Sequence, residues 1–264
     1  MSDAAPRRFG TVVIVGGGCY GTFYARQLLA AEARGKVVFD ELWIVDQDPH
    51  CQYTREVGIG GHHRLVVGEW DEFLDEWLST LALGPAPRAG QPPDMLVPSP
   101  LMPHVLYHWL LRRARTRWPG RLVETRPLTA GPRTPYDAGA PDGARYVSHA
   151  DWRCPIHCIE PATCPATRAP RSWDMAATYR QWAAALGALC VDYHCAHQVF
   201  GVGMIAVPDI LAGDRHVAEA GNQADELAIL VGTHSCCHGA AQLLHLGTGH
   251  GLILRPSELS FSLP

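Results

Sequence analysis

The chain has 264 residues, 47% hydrophobic and 18% charged, with a formal net charge of −4. A chain this long can bury a full core, and its balance excludes a disordered polymer or a nucleic-acid coat. No apolar run reaches the roughly 18 residues of a membrane span and no apolar signal core precedes the first strand, so a cytoplasmic protein with reduced thiols is expected.

The β-branched run Thr11-Val12-Val13-Ile14-Val15 predicts a buried parallel strand. Apolar residues at helical spacing over 19–33 and the run from Glu41 to Asp46 then complete a βαβ unit. A strand at 65–67, a helix over 69–83, a Pro/Gly-rich connector at 84–93 and a strand at 95–97 follow. A helix over 103–118 carries Arg112-Arg113-Ala114-Arg115, expected as a solvated face, and leads to a strand at 122–125. Residues 129–143 read as a surface connection, and 151–172 show no regular period. A helix over 173–186, an extended segment over 199–207, a helix over 208–220, a strand at 227–231 and a helix over 239–246 close the pattern, with no internal repeat.

This order predicts an α/β protein built on a doubly wound parallel sheet, Rossmann-like, with a Cys/Pro-rich insertion at 151–172. Residues 1–128 are expected to form the dinucleotide-binding domain. Residues 129–264 form a C-terminal α/β part that carries the insertion and packs with the first as one body.

Gly16-Gly17-Gly18-Cys19-Tyr20-Gly21 matches G-x-G-x-x-G between a strand and a helix. Gly16 permits the tight turn, Gly18 lets backbone approach a pyrophosphate, and Gly21 lets the helix pack closely. Cys19 and Tyr20 open the helix, whose free amides suit phosphate, and Cys19 is expected to pack or touch cofactor. Asp46, at the end of the second strand, suits the hydroxyls of an adenosine ribose and repels the extra phosphate of NADP, so NAD is expected. The plainer reading is a glycine turn that only joins strand to helix.

Residues 10–51 resemble the Rossmann-type NAD(P)-binding superfamily, and Trp43-Ile44-Val45-Asp46-Gln47-Asp48-Pro49 is similar to the second strand of TrkA-like NAD-binding domains. The resemblance covers under a fifth of the chain and implies a bound dinucleotide. FAD enzymes share the glycine pattern but more often place Glu at the ribose position. Ubiquitin-activating-type adenylating enzymes pair such a loop with zinc-binding C-x-x-C motifs that this chain lacks.

Cys154, Cys158 and Cys164 fall at C-x3-C-x5-C, interleaved with Pro155, Pro161, Pro165 and Pro170. Thiols in a proline-stiffened loop suit zinc or an iron–sulfur cluster, although the spacing matches neither zinc ribbons nor bacterial ferredoxins. A further ligand is sought among His234, Cys236, Cys237 and His238, which follow a buried strand; His157 and the His194/Cys195/His197 group are weaker candidates. Small buried cysteines that merely pack are the competing reading. The His194-Cys195-Ala196-His197 group by itself reads as structural.

His104 follows the fourth predicted strand, where it is a candidate proton donor to a substrate carbonyl, against the plainer reading of a packed or solvated helix residue. Lys36 is the only lysine, which leaves a Schiff base or a Tyr-x-x-x-Lys relay almost nowhere to sit. The expectation is an NAD-dependent oxidoreductase with a cysteine-ligated metal or iron–sulfur site near the nicotinamide. The alternatives are a TrkA-like NAD(H) sensor and a metal- or cofactor-maturation protein. Expected partners are a small-molecule substrate and, as an open option, a second copy of the chain, but neither nucleic acid nor membrane.

Overall fold

The computed structural model describes residues 5–249, apart from 86, 87, 89 and 101. Residues 250–264 of the second predicted part lie outside the described residues.

The chain opens with strand β1 (Arg7–Val15), helix α1 (Cys19–Ala33) and strand β2 (Val37–Asp46), which pairs parallel to β1 along its length. Alternation sets the faces: Val13, Val15 and Val45 enter one core while Val12, Ile14 and Ile44 enter another. Helix α2 (Gln52–Glu56), strand β3 (His63–Val67), helix α3 (Trp70–Leu83), strand β4 (Met95–Val97) and helix α4 (Val105–Arg117) follow. Then come β5 (Leu122–Arg126), β6 (Tyr136–Gly139), β7 (Arg145–Ser148) and α5 (Met175–Ala185). The chain continues through β8 (Leu189–His194), β9 (Ala196–Val199), β10 (Val202–Ala206), α6 (Val207–Gln223), β11 (Leu227–His234) and β12 (His238–Gly247).

These strands form two mixed sheets. The first runs β3-β2-β1-β4-β10-β9, in which β10 is antiparallel to both β4 and β9. The second runs β6-β7-β12-β11-β8, with β5 also on β12; only the β8–β11 pair is parallel. The expected doubly wound parallel sheet is therefore corrected to two mixed sheets. Two segments account for the difference. Residues 238–247, expected as a helix over 239–246, extend as β12 and fold back on β11 as a hairpin. Residues 196–199 and 202–206 form a second hairpin that turns the edge of the first sheet antiparallel. The largely apolar run Leu243-Leu244-His245-Leu246 is buried or half-buried on both faces, and a period cannot distinguish a short buried helix from such a strand.

Helices α3, α4 and α6 fill the space between the sheets, with Leu78, Leu110 and Ile210 meeting Val15 from the first sheet and Val231 from the second. Helix α1 covers the outer face of the first sheet through Ala25 and Leu28, and α5 covers that of the second through Tyr179 and Trp182. Burying each such aliphatic side chain contributes about 1.5–3 kcal/mol, which drives the layering. The arginines of α4 are not simply solvated. Arg112 reaches Asp71 and Asp75 of α3 at 3.0 and 2.8 Å, and Arg113 reaches the buried Asp214 of α6 at 3.1 Å. They hold three helices together. No helix among the described residues is long and apolar enough to cross a membrane.

Candidate functional site

The turn after β1 is built by its glycines. Gly16 has φ +87°, in the left-handed region, and a Cβ on Gly21 would overlap the Gly16 carbonyl oxygen. A Cβ on Gly17 would meet the Cys51 sulfur. Gly18, in contrast, has extended backbone at φ −74°, and a Cβ placed on it would meet nothing within 4 Å. Its open space lies at the start of α1, where the first intrahelical bond is that of the Thr22 amide to Gly18 O at 2.9 Å. No side chain caps this end, so the amides of residues 19–21 have no intrahelical partner.

Asp46 is tied into the same turn. Its Oδ2 accepts from the Gly17 amide at 2.7 Å and its Oδ1 from the Asp48 amide at 2.9 Å. An ionised carboxylate offers about four acceptor sites, so two stay free.

Cys19 and Tyr20 are exposed and line a cleft of about 680 Å³. Its other walls include Pro98 after β4, Tyr146 of β7, Cys154 of the cysteine segment, His197 of β9 and His238 at the start of β12. Side chains far apart in the chain thus converge around the exposed end of α1. His104 is buried behind this surface, with Nε2 3.1 Å from the Tyr146 hydroxyl. Burial lowers the His104 pKa and raises that of Tyr146, so both rest neutral.

Cys154 Sγ lies 3.4 Å from Nε2 of His238. Ser148 donates its hydroxyl proton to Ala150 O at 2.8 Å, so it accepts from His238 Nδ1 at 2.8 Å, and the free Nε2 lone pair faces the thiol. Burial pushes the Cys154 thiol up to about 11, with the neighbouring thiols of Cys237, Cys158 and Cys164 adding to it. At neutral pH the pair is a thiol hydrogen-bonded to a neutral imidazole.

The thiols of Cys158, Cys164 and Cys237 stay near Cys154, and each predicted ligand also makes contacts of its own. Cys158 Sγ accepts from the Glu160 amide at 3.4 Å, and Cys164 is buried within a turn closed by the Thr163–Pro170 bridge. Cys237 is buried, its carbonyl accepting from the His149 amide at 2.9 Å. His234 is buried against Tyr179 and lies 3.1 Å from Asp192. Cys236 faces elsewhere: its sulfur lies 3.9 Å from His194 Nε2.

Glu160 organises that side and was not anticipated. Its Oε1 accepts from the Cys236 amide at 2.7 Å, its Oε2 from the His197 amide at 3.3 Å, and Oε2 lies 3.7 Å from His194 Nε2. Burial alone would raise its pKa, but the His194 ring and the two amides outweigh it and hold the carboxyl at about 2. His194 is raised in return, chiefly by Glu160. The ligand atoms of Glu160, His194 and Cys236 all lie within 4.8 Å of one another. An acidic residue inside a thiol-rich loop was the available signal for Glu160. His194 and His197 fall at the junction of β8 and β9 rather than on a helix.

No curated protein and no solved structure matches the chain. Residues 106–247 match AF_1314_C, a family described as an uncharacterized protein, C-terminal domain. That stretch holds the whole second sheet together with β9 and β10 of the first, and, spanning more than half of the sequence, it makes the chain a member of this family.

Proposed function

We propose that the chain is an NAD-dependent oxidoreductase acting on a small carbonyl or alcohol substrate in the cleft. The observation that carries this reading is the opening of the uncapped α1 amino end, next to an empty Cβ position at Gly18, into a cleft walled by Tyr146, Cys154 and His238. The amides of residues 19–21 would receive the pyrophosphate. Asp46, with two acceptor sites left, would receive the adenosine ribose hydroxyls, and its charge would disfavour a ribose phosphate. The nicotinamide, when bound, supplies or accepts a hydride.

The chain's own groups would handle the proton. Tyr146 stays protonated and faces the cleft, so its hydroxyl suits donation to a substrate oxygen. His104 acts through Tyr146 as a positioning residue, its buried ring fixing the phenol from behind. All nine cysteines are unpaired, in keeping with a reducing compartment such as the cytoplasm.

Calorimetric titration with NADH and NADPH tests the reading, NADH being expected to bind more tightly. Gly18→Val should abolish binding while leaving the fold intact, because its side chain would enter open space. Equal affinities, or NADH binding unchanged by Gly18→Val, would sink the proposal.

A further inference from the structure

We propose that Glu160, His194 and Cys236 bind one zinc ion that staples the cysteine segment to the ends of β8 and β11. This site goes beyond the dinucleotide reading and does not depend on it. None of the three residues lines the cleft, although their chain neighbours Cys195, His197 and Ser235 do.

The distances suit the ion. Zinc held tetrahedrally at Zn–N of about 2.0 Å and Zn–S of about 2.3 Å puts its ligand atoms roughly 3.3–3.6 Å apart. His194 Nε2 already lies 3.7 Å from Glu160 Oε2 and 3.9 Å from Cys236 Sγ. A plain ion pair between Glu160 and His194 would close to hydrogen-bond length and would not explain why a thiol converges on the same point.

Each ligand is also fixed from behind. The Glu160 carboxylate is anchored by the two backbone amides, and its lone pairs exceed the bonds they use. Glu160 itself has φ 55°, a left-handed conformation that costs a non-glycine residue energy, and its side chain is only 9% exposed. The His194 ring stacks on His234 at 5.3 Å and 13°, and His234 is held by Asp192 and Tyr179. Such supporting shells are what orient metal ligands. A carboxylate, an imidazole and a thiolate together favour zinc over magnesium or calcium, which take oxygen ligands. Three protein ligands leave a fourth position, and the half-exposed His194 side chain leaves a route for water to fill it.

The test uses the full chain, reduced and anaerobic, with zinc or cobalt(II) alone as the probe. X-ray absorption of the chain loaded with one equivalent of zinc should show one sulfur and otherwise nitrogen or oxygen neighbours. With cobalt, Cys236→Ser should remove the sulfur-to-metal charge-transfer band, and His194→Ala should weaken binding by at least about tenfold. A shell of several sulfurs would move the metal to Cys154, Cys158, Cys164 and Cys237 and overturn the proposal. So would a failure to take up metal, or a charge-transfer band that survives Cys236→Ser. The wild-type spectrum decides even where a variant fails to fold.

Discussion

The glycine turn that opens α1 and the segment at 151–172 are ordered by different means. The turn is closed by groups on its own βαβ unit: Gly16 bonds to Val45 O, Gly17 to Asp46, and Gly21 packs on Gly16. The segment closes its second half on itself, Cys164 N bonding to Ala169 O and Arg171 N to Ala162 O, but it is tied to the sheets from afar. Glu160 reaches residues 197 and 236, and Gly201 presses on the backbone of Ile156 and His157. A loop of the first kind is specified by short-range steric rules. One of the second kind reaches its place against the sheets only once distant strands have assembled.

The largest expected effect breaks the turn. Gly21→Ala forces a Cβ into the Gly16 carbonyl and should cost about 3 kcal/mol in urea unfolding, as overpacking of rigid backbone does. Gly18→Ala, three residues away, should stay within about 0.5 kcal/mol because its new carbon meets nothing. Similar losses at the two positions would show that the turn is not closed sterically.

Next is the segment's remote anchor. Glu160→Ala leaves the amides of Cys236 and His197 without their acceptor and should cost about 2 kcal/mol. Amide exchange should accelerate at both positions and across residues 154–171, far from the substitution in sequence. Acceleration confined to the neighbours of residue 160 would mean that the segment orders itself.

A smaller loss is expected at Asp46. Asp46→Asn keeps one oxygen acceptor for the two amides, so unfolding should shift by about 1 kcal/mol or less. The same change should narrow any preference for NADH over NADPH. A preference left intact would separate the structural role of Asp46 from the ribose role assigned to it.

The same contrast decides what was legible in the sequence. The glycine turn, its flanking strands and Asp46 follow from local steric rules, and the structure forms all of them where the pattern puts them. The sheet directions do not follow locally. Whether Leu243 to Leu246 coils or extends depends on β11 and β5 lying alongside. At the site, Cys154 and His238 stood out by residue type, and the structure pairs them. Tyr146 and Glu160 carried no motif, since their roles come from register: Tyr146 sits opposite Ala240 on β12, and Glu160 reaches a hairpin more than seventy residues on. Cys236 and His194 stood among the candidate ligands, but their grouping with Glu160 was hidden for the same reason. His194 and Cys236 lie at the ends of the parallel neighbours β8 and β11, whose pairing no spacing rule reveals.

The smallest effect sharpens the comparison through pH. His104 lies beyond β4 on the turn's side of the cleft, and His149 borders the segment, stacked on Trp173 with Nε2 2.9 Å from Thr178 Oγ1. Burial lowers both pKa values; for His104, Asp142 works against it and His108 with it, while Asp174 opposes it at His149. Below the unfolded pKa of about 6.5 the unfolded chain therefore takes up protons that the fold refuses, and stability falls with pH until each folded pKa is reached. Between pH 7.5 and 5.5 the urea midpoint should drop. His104 is only 8% exposed and His149 is half-buried, so desolvation weighs more on the former. His104→Gln should accordingly flatten the profile more than His149→Gln. The reverse order would place the larger proton-linked cost in the segment, and the remote contacts that order it would then include the charge state of His149.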